Sequence, residues 1–91
     1  MSTIKISRKH NLDDTQVREH LRSLLEQFSS EYGIRHQWQG DLLELERSGA
    51  KGFIRLRTGE LELELKLGML LRPFKGKIEH AILEYLDKNL G

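Results

Sequence analysis

The fold is decided by residues 34–67, which read IRHQWQGDLLELERSGAKGFIRLRTGELELELKL. Apolar and polar residues alternate through most of this stretch, as in strands that bury one face. The alternation is interrupted three times by glycine-containing segments: Gly40-Asp41, Ser48-Gly49-Ala50-Lys51 and Thr58-Gly59. Short glycine-containing segments between alternating runs are typical of hairpin connections. Residues 34–67 therefore predict four strands joined as an antiparallel meander.

The turns also predict which residues face each other. The two outer turns give the apolar pairs Trp38–Leu43, His36–Leu45, Leu56–Leu61 and Ile54–Leu63, and the polar pairs Gln37–Glu44, Arg35–Glu46, Arg57–Glu60 and Arg55–Glu62. The middle connection, taken as the four residues 48–51, adds the pairs Leu45–Ile54, Leu43–Leu56 and Glu44–Arg55. A slip of one residue would exchange the faces of a whole strand. The agreement therefore predicts a sheet with one apolar and one charged face.

Residues upstream of the meander predict a further strand and a helix. Ile4 and Ile6 alternate with polar neighbours in residues 3–7, as a half-buried strand requires. Asp13 and Gln16 have the spacing of a capping box, and Gly33 stands where a left-handed helix cap is favoured. Between them, the apolar residues at helical spacing are Val17, Leu21, Leu24, Leu25, Phe28 and Tyr32. This segment predicts an amphipathic helix.

A second helix is predicted to begin at Pro73, a residue favoured at the first helical position. Its predicted buried residues are Phe74, Ile78, Ala81, Ile82, Tyr85, Leu86 and Leu90. Residues 1–91 therefore predict a single α+β domain with the element order β-α-β-β-β-β-α. In the predicted fold, two helices cover one face of a five-stranded antiparallel sheet. The predicted strand order is 1-5-4-3-2, as in a shortened helix-grip fold.

The composition excludes several classes of protein. The 91 residues carry 15 basic and 14 acidic side chains, for a net charge of +1, which argues against a dedicated nucleic-acid binder. The absence of cysteine excludes disulfides, thiolate catalysis and zinc sites built on sulfur. No stretch approaches the roughly 18 apolar residues of a transmembrane segment. The start of the chain lacks the apolar run of a signal peptide, so a cytoplasmic location is predicted.

The sequence offers no catalytic set, metal site or cofactor motif. Its four histidines, His10, His20, His36 and His80, include no pair at the i, i+4 spacing of a helical metal site. His36 is the most interesting, because the predicted register places it on the inner sheet face. There it would be either a catalytic base with a shifted pKa or, as we favour, a hydrogen-bonded core histidine. The acidic row Glu60, Glu62 and Glu64 is interpreted as a solvated face opposite arginines.

The connection between the last strand and the last helix contains the candidate binding surface. Its apolar residues are Met69, Leu70, Leu71 and Phe74, and its cations are Arg72, Lys75 and Lys77. Three consecutive apolar residues cannot all point into a core this small, so at least one of the first three is expected to be exposed. Clustered exposed apolar groups often mark an interaction surface. The alternative, equally weighted, is that they cap one end of the core. A second helix face, with Gly76 and Leu83, suggests a weak homodimer contact.

The chain resembles the small bacterial polyhydroxyalkanoic acid system proteins, also called polyhydroxyalkanoate granule-region proteins, over essentially its full length. The matching segments are Thr3-Ile4-Lys5-Ile6 with His10 and Leu12, Tyr32-Gly33-Ile34-Arg35, Trp38-x-Gly40-Asp41, Glu46-Arg47-Ser48-Gly49 with Gly52, Leu67-Gly68-Met69-Leu70-Leu71, Lys75-Gly76-Lys77-Ile78-Glu79 and Tyr85-Leu86-Asp87. Arg72-Pro73 departs from the family pattern, which has a better capping residue there.

The resemblance implies a non-enzymatic accessory protein of polyester metabolism, because the family brings no catalytic residues to transfer. The implied partners are the polyester granule surface or the proteins that coat it, contacted through the connection described above. The alternative is a pocket for a hydroxyacyl-CoA or another apolar acyl ligand between the sheet and the last helix. His36, Trp38, Leu45 and Tyr85 would line that pocket.

Overall fold

The computed structural model of the chain describes residues 2–89. Its elements are β1 (Ser2–Lys9), α1 (Asp14–Tyr32), β2 (Arg35–Gln39), β3 (Leu42–Arg47), β4 (Ala50–Arg57), β5 (Glu60–Leu67), a 3₁₀ turn (Arg72–Phe74) and α2 (Lys75–Asn89). The five strands form one antiparallel sheet in the order β1-β5-β4-β3-β2. The predicted α+β class and strand order are therefore confirmed.

The inner face of the sheet is built from rows of apolar residues that cross the strands. One row crosses all five strands and consists of Ile6, Leu63, Ile54, Leu43 and Trp38. Four of these residues are buried, and Trp38, on the edge strand, is half-buried against the core. Every pair predicted from the turns at Gly40-Asp41 and Thr58-Gly59 is confirmed. The inner face therefore follows directly from the alternation in the sequence.

The predicted pairing of β3 with β4 is wrong by two residues. Leu43 lies opposite Ile54 rather than Leu56, Leu45 lies opposite Gly52, and Glu44 lies opposite Phe53 rather than Arg55. The reason is that the connection is a two-residue turn, in which Gly49 has a φ of 88° and Arg47 pairs with Ala50. Glycine adopts this left-handed conformation without a steric penalty, so the hairpin closes earlier than predicted. A shift of two residues leaves both faces unchanged.

Strands β4 and β5 approach each other closely at Gly52. A Cβ atom added there would lie 2.2 Å from the Glu64 carbonyl oxygen and 2.9 Å from the Leu65 Cα. Both are backbone atoms of the neighbouring strand, so neither can rotate away. Glycine inside a strand often marks such a close backbone approach. Gly52 is thus a geometric requirement of the sheet.

Helix α1 begins and ends as the sequence predicts. The Asp13 side chain accepts a hydrogen bond from the Gln16 amide (2.8 Å), and the Gln16 side chain accepts one from the Asp13 amide (3.1 Å). This reciprocal pair satisfies two amides that a helix start leaves without partners. Gly33 ends the helix at a φ of 65°. The buried residues of the helix are Val17, Leu21 and Leu25, so its inner stripe lies against the sheet.

Helix α2 is rotated relative to the prediction. Phe74 and Ala81, which were predicted to be buried, are exposed, whereas Leu83 packs against the core. Leu86 is buried, as predicted. Ile78, Ile82 and Tyr85 were predicted to be buried and are half-buried. Leu90, also predicted to be buried, lies outside the described residues. The rotation arises because Arg72–Phe74 forms a 3₁₀ turn, which delays the α-helix to Lys75. A 3₁₀ turn has about 3.0 residues per turn instead of 3.6, so it changes the angle at which the following helix begins.

Candidate functional site

The connection between β5 and α2 is held firmly by backbone hydrogen bonds. The Gly68 amide donates to the Gly49 carbonyl (2.8 Å), which ties the connection to the β3–β4 turn. The amides of Leu71 and Arg72 both donate to the Gly68 carbonyl (3.2 and 3.0 Å), and the Phe74 amide donates to the Leu71 carbonyl (2.9 Å). Residues 68–74 therefore form consecutive tight turns, and the directions of their side chains are fixed by the backbone.

This backbone directs three large apolar side chains into solvent. The exposed fractions are 86% for Met69, 73% for Leu70 and 51% for Phe74. Leu71 is half-buried, packs against the core and lies beside the Cα of Gly49. The expectation that at least one of the three consecutive apolar residues is exposed is thus confirmed for two of them. We call Met69, Leu70 and Phe74 the apolar patch.

Three cations flank the apolar patch, and we call Arg72, Lys75 and Lys77 the basic rim. Arg72 and Lys77 are exposed and Lys75 is half-buried. Within residues 2–89, none of the three forms a salt bridge, and the first turn of α2 contains no acidic residue. Cations at a helix start oppose the helix dipole by a few tenths of a kcal/mol each. Their charges are therefore available to an anionic partner.

The four residues predicted to line an acyl pocket, His36, Trp38, Leu45 and Tyr85, do not line one common cavity within the described residues. His36 lies opposite Leu45, as the predicted register requires, but its side chain is exposed, so the prediction that a helix covers it is wrong. The physical reason is its position on the edge strand β2, beside Leu45, in a row where Gly52 contributes no side chain. Trp38 is half-buried, with the Arg18 guanidinium 4.6 Å from the centre of its ring.

A groove of about 570 Å³ contains His36 and Leu45 but is not lined by Trp38 or Tyr85. The groove opens on the charged outer face of the sheet, since its other lining residues include Glu44, Phe53 and Glu64. A role of the four residues in acyl-ligand binding stays a prediction.

Tyr85 instead links the two helices. Its hydroxyl donates a hydrogen bond of 2.9 Å to the main-chain carbonyl of His20 in α1. Burial raises the pKa of the Tyr85 hydroxyl above its ordinary value of 10.0. Since the folded state then holds this proton more tightly than the unfolded state, the contribution of Tyr85 to stability is complete below about pH 10 and decreases as the pH rises further.

We expect Tyr85→Phe to lower the free energy of unfolding by about 1 kcal/mol at pH 7, the net value of one hydrogen bond. The difference between the wild type and this variant should become smaller above about pH 10, where the tyrosine hydroxyl ionises in the unfolded state while the folded state still holds its proton. Urea denaturation at pH 7 and pH 10.5 measures both effects. Equal stabilities of the two proteins at pH 7 would contradict the link between the helices.

Two of the histidines and most of the carboxylates contact a polar partner within the described residues. His80 lies 3.6 Å from Glu84, and His10 Nδ1 accepts a hydrogen bond from the Leu12 amide (3.2 Å). In the part of the chain that the structure describes, no three His, Asp or Glu side chains are grouped so that they could hold a metal ion. The acidic row of β5 lies among cations, with Glu64 at 3.7 Å from Lys5 and Glu62 at 3.2 Å from Arg57.

One feature of the outer sheet face was missed by the sequence reasoning. Lys51 of β4 and Lys66 of β5 lie directly opposite each other. The Thr58-Gly59 turn predicts the register of β4 and β5. Counting residues away from this turn along both strands gives Lys51 opposite Lys66. The signal was therefore present in the sequence.

The fold and this surface define a small two-layer α+β protein whose most distinctive exposed feature is the apolar patch beside the basic rim. The family model described as "Putative polyhydroxyalkanoic acid system protein" matches residues 4–90, and the chain belongs to this family. No curated protein and no solved structure matches the chain significantly. No helix within residues 2–89 is long and apolar enough to cross a membrane.

Proposed function

We propose that the chain is a non-enzymatic, cytoplasmic accessory protein of polyhydroxyalkanoate metabolism that attaches directly to the surface of polyester granules through the apolar patch. The observation that carries this proposal is the exposure of Met69 and Leu70 on a backbone fixed by hydrogen bonds. Membership of the polyhydroxyalkanoic acid system family supports the choice of the polyester as the partner.

The energetics favour an apolar surface as the partner. Burying one large apolar side chain is worth about 1.5–3 kcal/mol, so transfer of Met69 and Leu70 out of water supplies several kcal/mol. The fixed turn reduces the entropic cost of binding, because ordering of the segment precedes contact. The basic rim adds attraction to anionic groups at the granule surface, as in other interfacial proteins. Granule coat proteins are the alternative partner.

The test is co-sedimentation of the purified protein with native granules and with granules stripped of their coat proteins. We expect the wild type to bind both, and M69D/L70D to bind stripped granules at least tenfold more weakly, because two apolar contacts are lost and two negative charges are added. Leu71 is left unchanged, since it packs against the core. Circular dichroism should show that the variant stays folded.

T15D/Q27D is the matched control, because it adds the same two charges at exposed positions of α1. This control should bind stripped granules as the wild type does. Binding of the wild type to native granules alone would point to a coat protein and overturn direct attachment. Undiminished binding of folded M69D/L70D to stripped granules would overturn the assignment of the apolar patch.

A further inference from the structure

The outer face of the sheet is organised as rows of charged residues. Directly opposed residues of opposite charge occur in several places, including Lys5–Glu64, Arg35–Glu46 and Arg55–Glu62. Such pairs stabilise a sheet, whereas like charges directly opposite each other destabilise it. Across the strands of residues 2–89, the Lys51–Lys66 pair is the only directly opposed pair of like charge. This position therefore departs from the pattern of the whole face.

The nearby carboxylates do not neutralise the two lysines. Glu46 lies opposite Lys51 in the same row but forms a salt bridge of 2.9 Å with Arg35. On the other side, Lys66 faces Thr3, which is uncharged. Within the described residues, neither Lys51 nor Lys66 has a carboxylate oxygen within 4.0 Å. Within residues 2–89, the two positive charges thus lie side by side without an ion pair of their own, and the closest carboxylate along the row, Glu46, is engaged by Arg35.

Space for a ligand lies on both sides of this pair. Lys51 and Lys66 line the outer-face groove of about 570 Å³ and also a second depression of about 530 Å³ at the ends of the strands. Both volumes lie in the range of small-molecule sites, roughly 300–1,000 Å³. Phe53 offers an apolar wall in the first, and the backbone at Gly49 and Gly68 borders the second. The second depression therefore reaches the connection that carries the apolar patch.

We propose that Lys51 and Lys66 form a binding site for a phosphate group. Two ammonium groups supply a charge of +2, which matches the charge of about −1.5 to −2 on a phosphate monoester at neutral pH better than the single charge of a carboxylate. Lysine binds phosphate as a point charge and requires no planar partner geometry. The phosphate belongs either to a soluble compound held in the outer-face groove or to a lipid headgroup beside the apolar patch.

The first arm of the test uses inorganic pyrophosphate, titrated at constant ionic strength and followed by the backbone amide and lysine side-chain NMR signals. We expect saturable shifts centred on Lys51 and Lys66, with an affinity at least tenfold lower in K51Q/K66Q. K9Q/K88Q is the matched control, because it removes two charges at exposed positions that line neither depression and leaves Lys5 paired with Glu64 in the groove. Its affinity should stay within twofold of the wild type.

The second arm separates the two sources of phosphate. Capture of the wild type, but not of K51Q/K66Q, by vesicles of phosphatidic acid and phosphatidylcholine, with no capture by phosphatidylcholine alone, would support a lipid headgroup. Saturable binding of pyrophosphate without vesicle capture would support a soluble ligand. Failure of both arms would overturn the site, and so would equal losses in K51Q/K66Q and K9Q/K88Q.

The proposed phosphate site can be tested independently of the proposed attachment to granules. M69S/L70S removes the apolar side chains of the patch, adds no charge and leaves both lysines in place, so it should bind pyrophosphate with the affinity of the wild type. Loss of pyrophosphate binding in folded M69S/L70S would contradict the placement of the site on Lys51 and Lys66.

Discussion

Leu43→Ala is expected to lower the free energy of unfolding by about 3 kcal/mol, within the range of roughly 2–5 kcal/mol for buried leucines. Leu43 has no exposed surface and lies between Trp38 and Ile54 in the row that crosses all five strands. The alanine would leave a cavity within this row, between the neighbouring strands β2 and β4. Since domains are stable by only about 5–15 kcal/mol, the loss would be a large share of the total.

Urea denaturation followed by circular dichroism measures this loss, and Leu70→Ala is the matched control. The same atoms are removed from a side chain that is 73% exposed, so the control should change stability by less than about 0.5 kcal/mol. A cost below about 1 kcal/mol for Leu43→Ala would contradict the placement of β3 over the core.

Gly52→Ala is expected to cost about 2–3 kcal/mol, although it adds only one methyl group. The new Cβ would collide with the Glu64 carbonyl oxygen and with the Leu65 Cα, so β4 and β5 would have to separate. Overpacking that forces backbone shifts costs about 1–3 kcal/mol, and here both obstacles are backbone atoms. Separation of the strands would also weaken the hydrogen bonds between β4 and β5, so we expect a cost near the upper end of this range of about 1–3 kcal/mol.

Gly76→Ala is expected to stabilise the protein, whereas Gly52→Ala is expected to destabilise it. Gly76 lies in α2 and is exposed, and a Cβ added to it would meet no atom within 4 Å outside the backbone of its own helix. Gly76→Ala should therefore stabilise the protein by about 0.5–1 kcal/mol, because alanine is the better helix former. Denaturation of the two variants side by side tests the contrast. Equal effects would show that Gly52 is not sterically confined.

The sequence predicts the sheet better than it predicts the second helix. Alternation fixes the face of each residue, and a two-residue turn fixes the register, so the pairs around Gly40-Asp41 and Thr58-Gly59 follow from local rules. The prediction for the Ser48-Gly49 turn is wrong because it includes Ala50 and Lys51 in the connection, whereas these two residues begin β4. The orientation of α2 depends on the 3₁₀ turn before it, and the sequence around Pro73 does not specify that turn.

The sequence predicts the candidate site only in part, because the exposure of each side chain depends on tertiary structure. A count of apolar residues predicts that Met69, Leu70 and Leu71 cannot all be buried, but the turn closed by hydrogen bonds to the Gly68 carbonyl is needed to place Leu71 as the one turned inward. The exposure of His36 was missed, because alternation assigns a residue to a face and does not tell how far the helices extend over it. Covering depends on tertiary packing.

The antiparallel pairing of β1 with β5 sets the order in which the protein can fold. The hairpins β2–β3, β3–β4 and β4–β5 join neighbours in the chain, whereas Lys9 and Glu60 are roughly fifty positions apart. Closing so long a loop has an entropic cost that must be met before its contacts form, and such pairings slow folding. We infer that the meander forms first and that β1 joins its free edge late, with α1 packing over the row it completes.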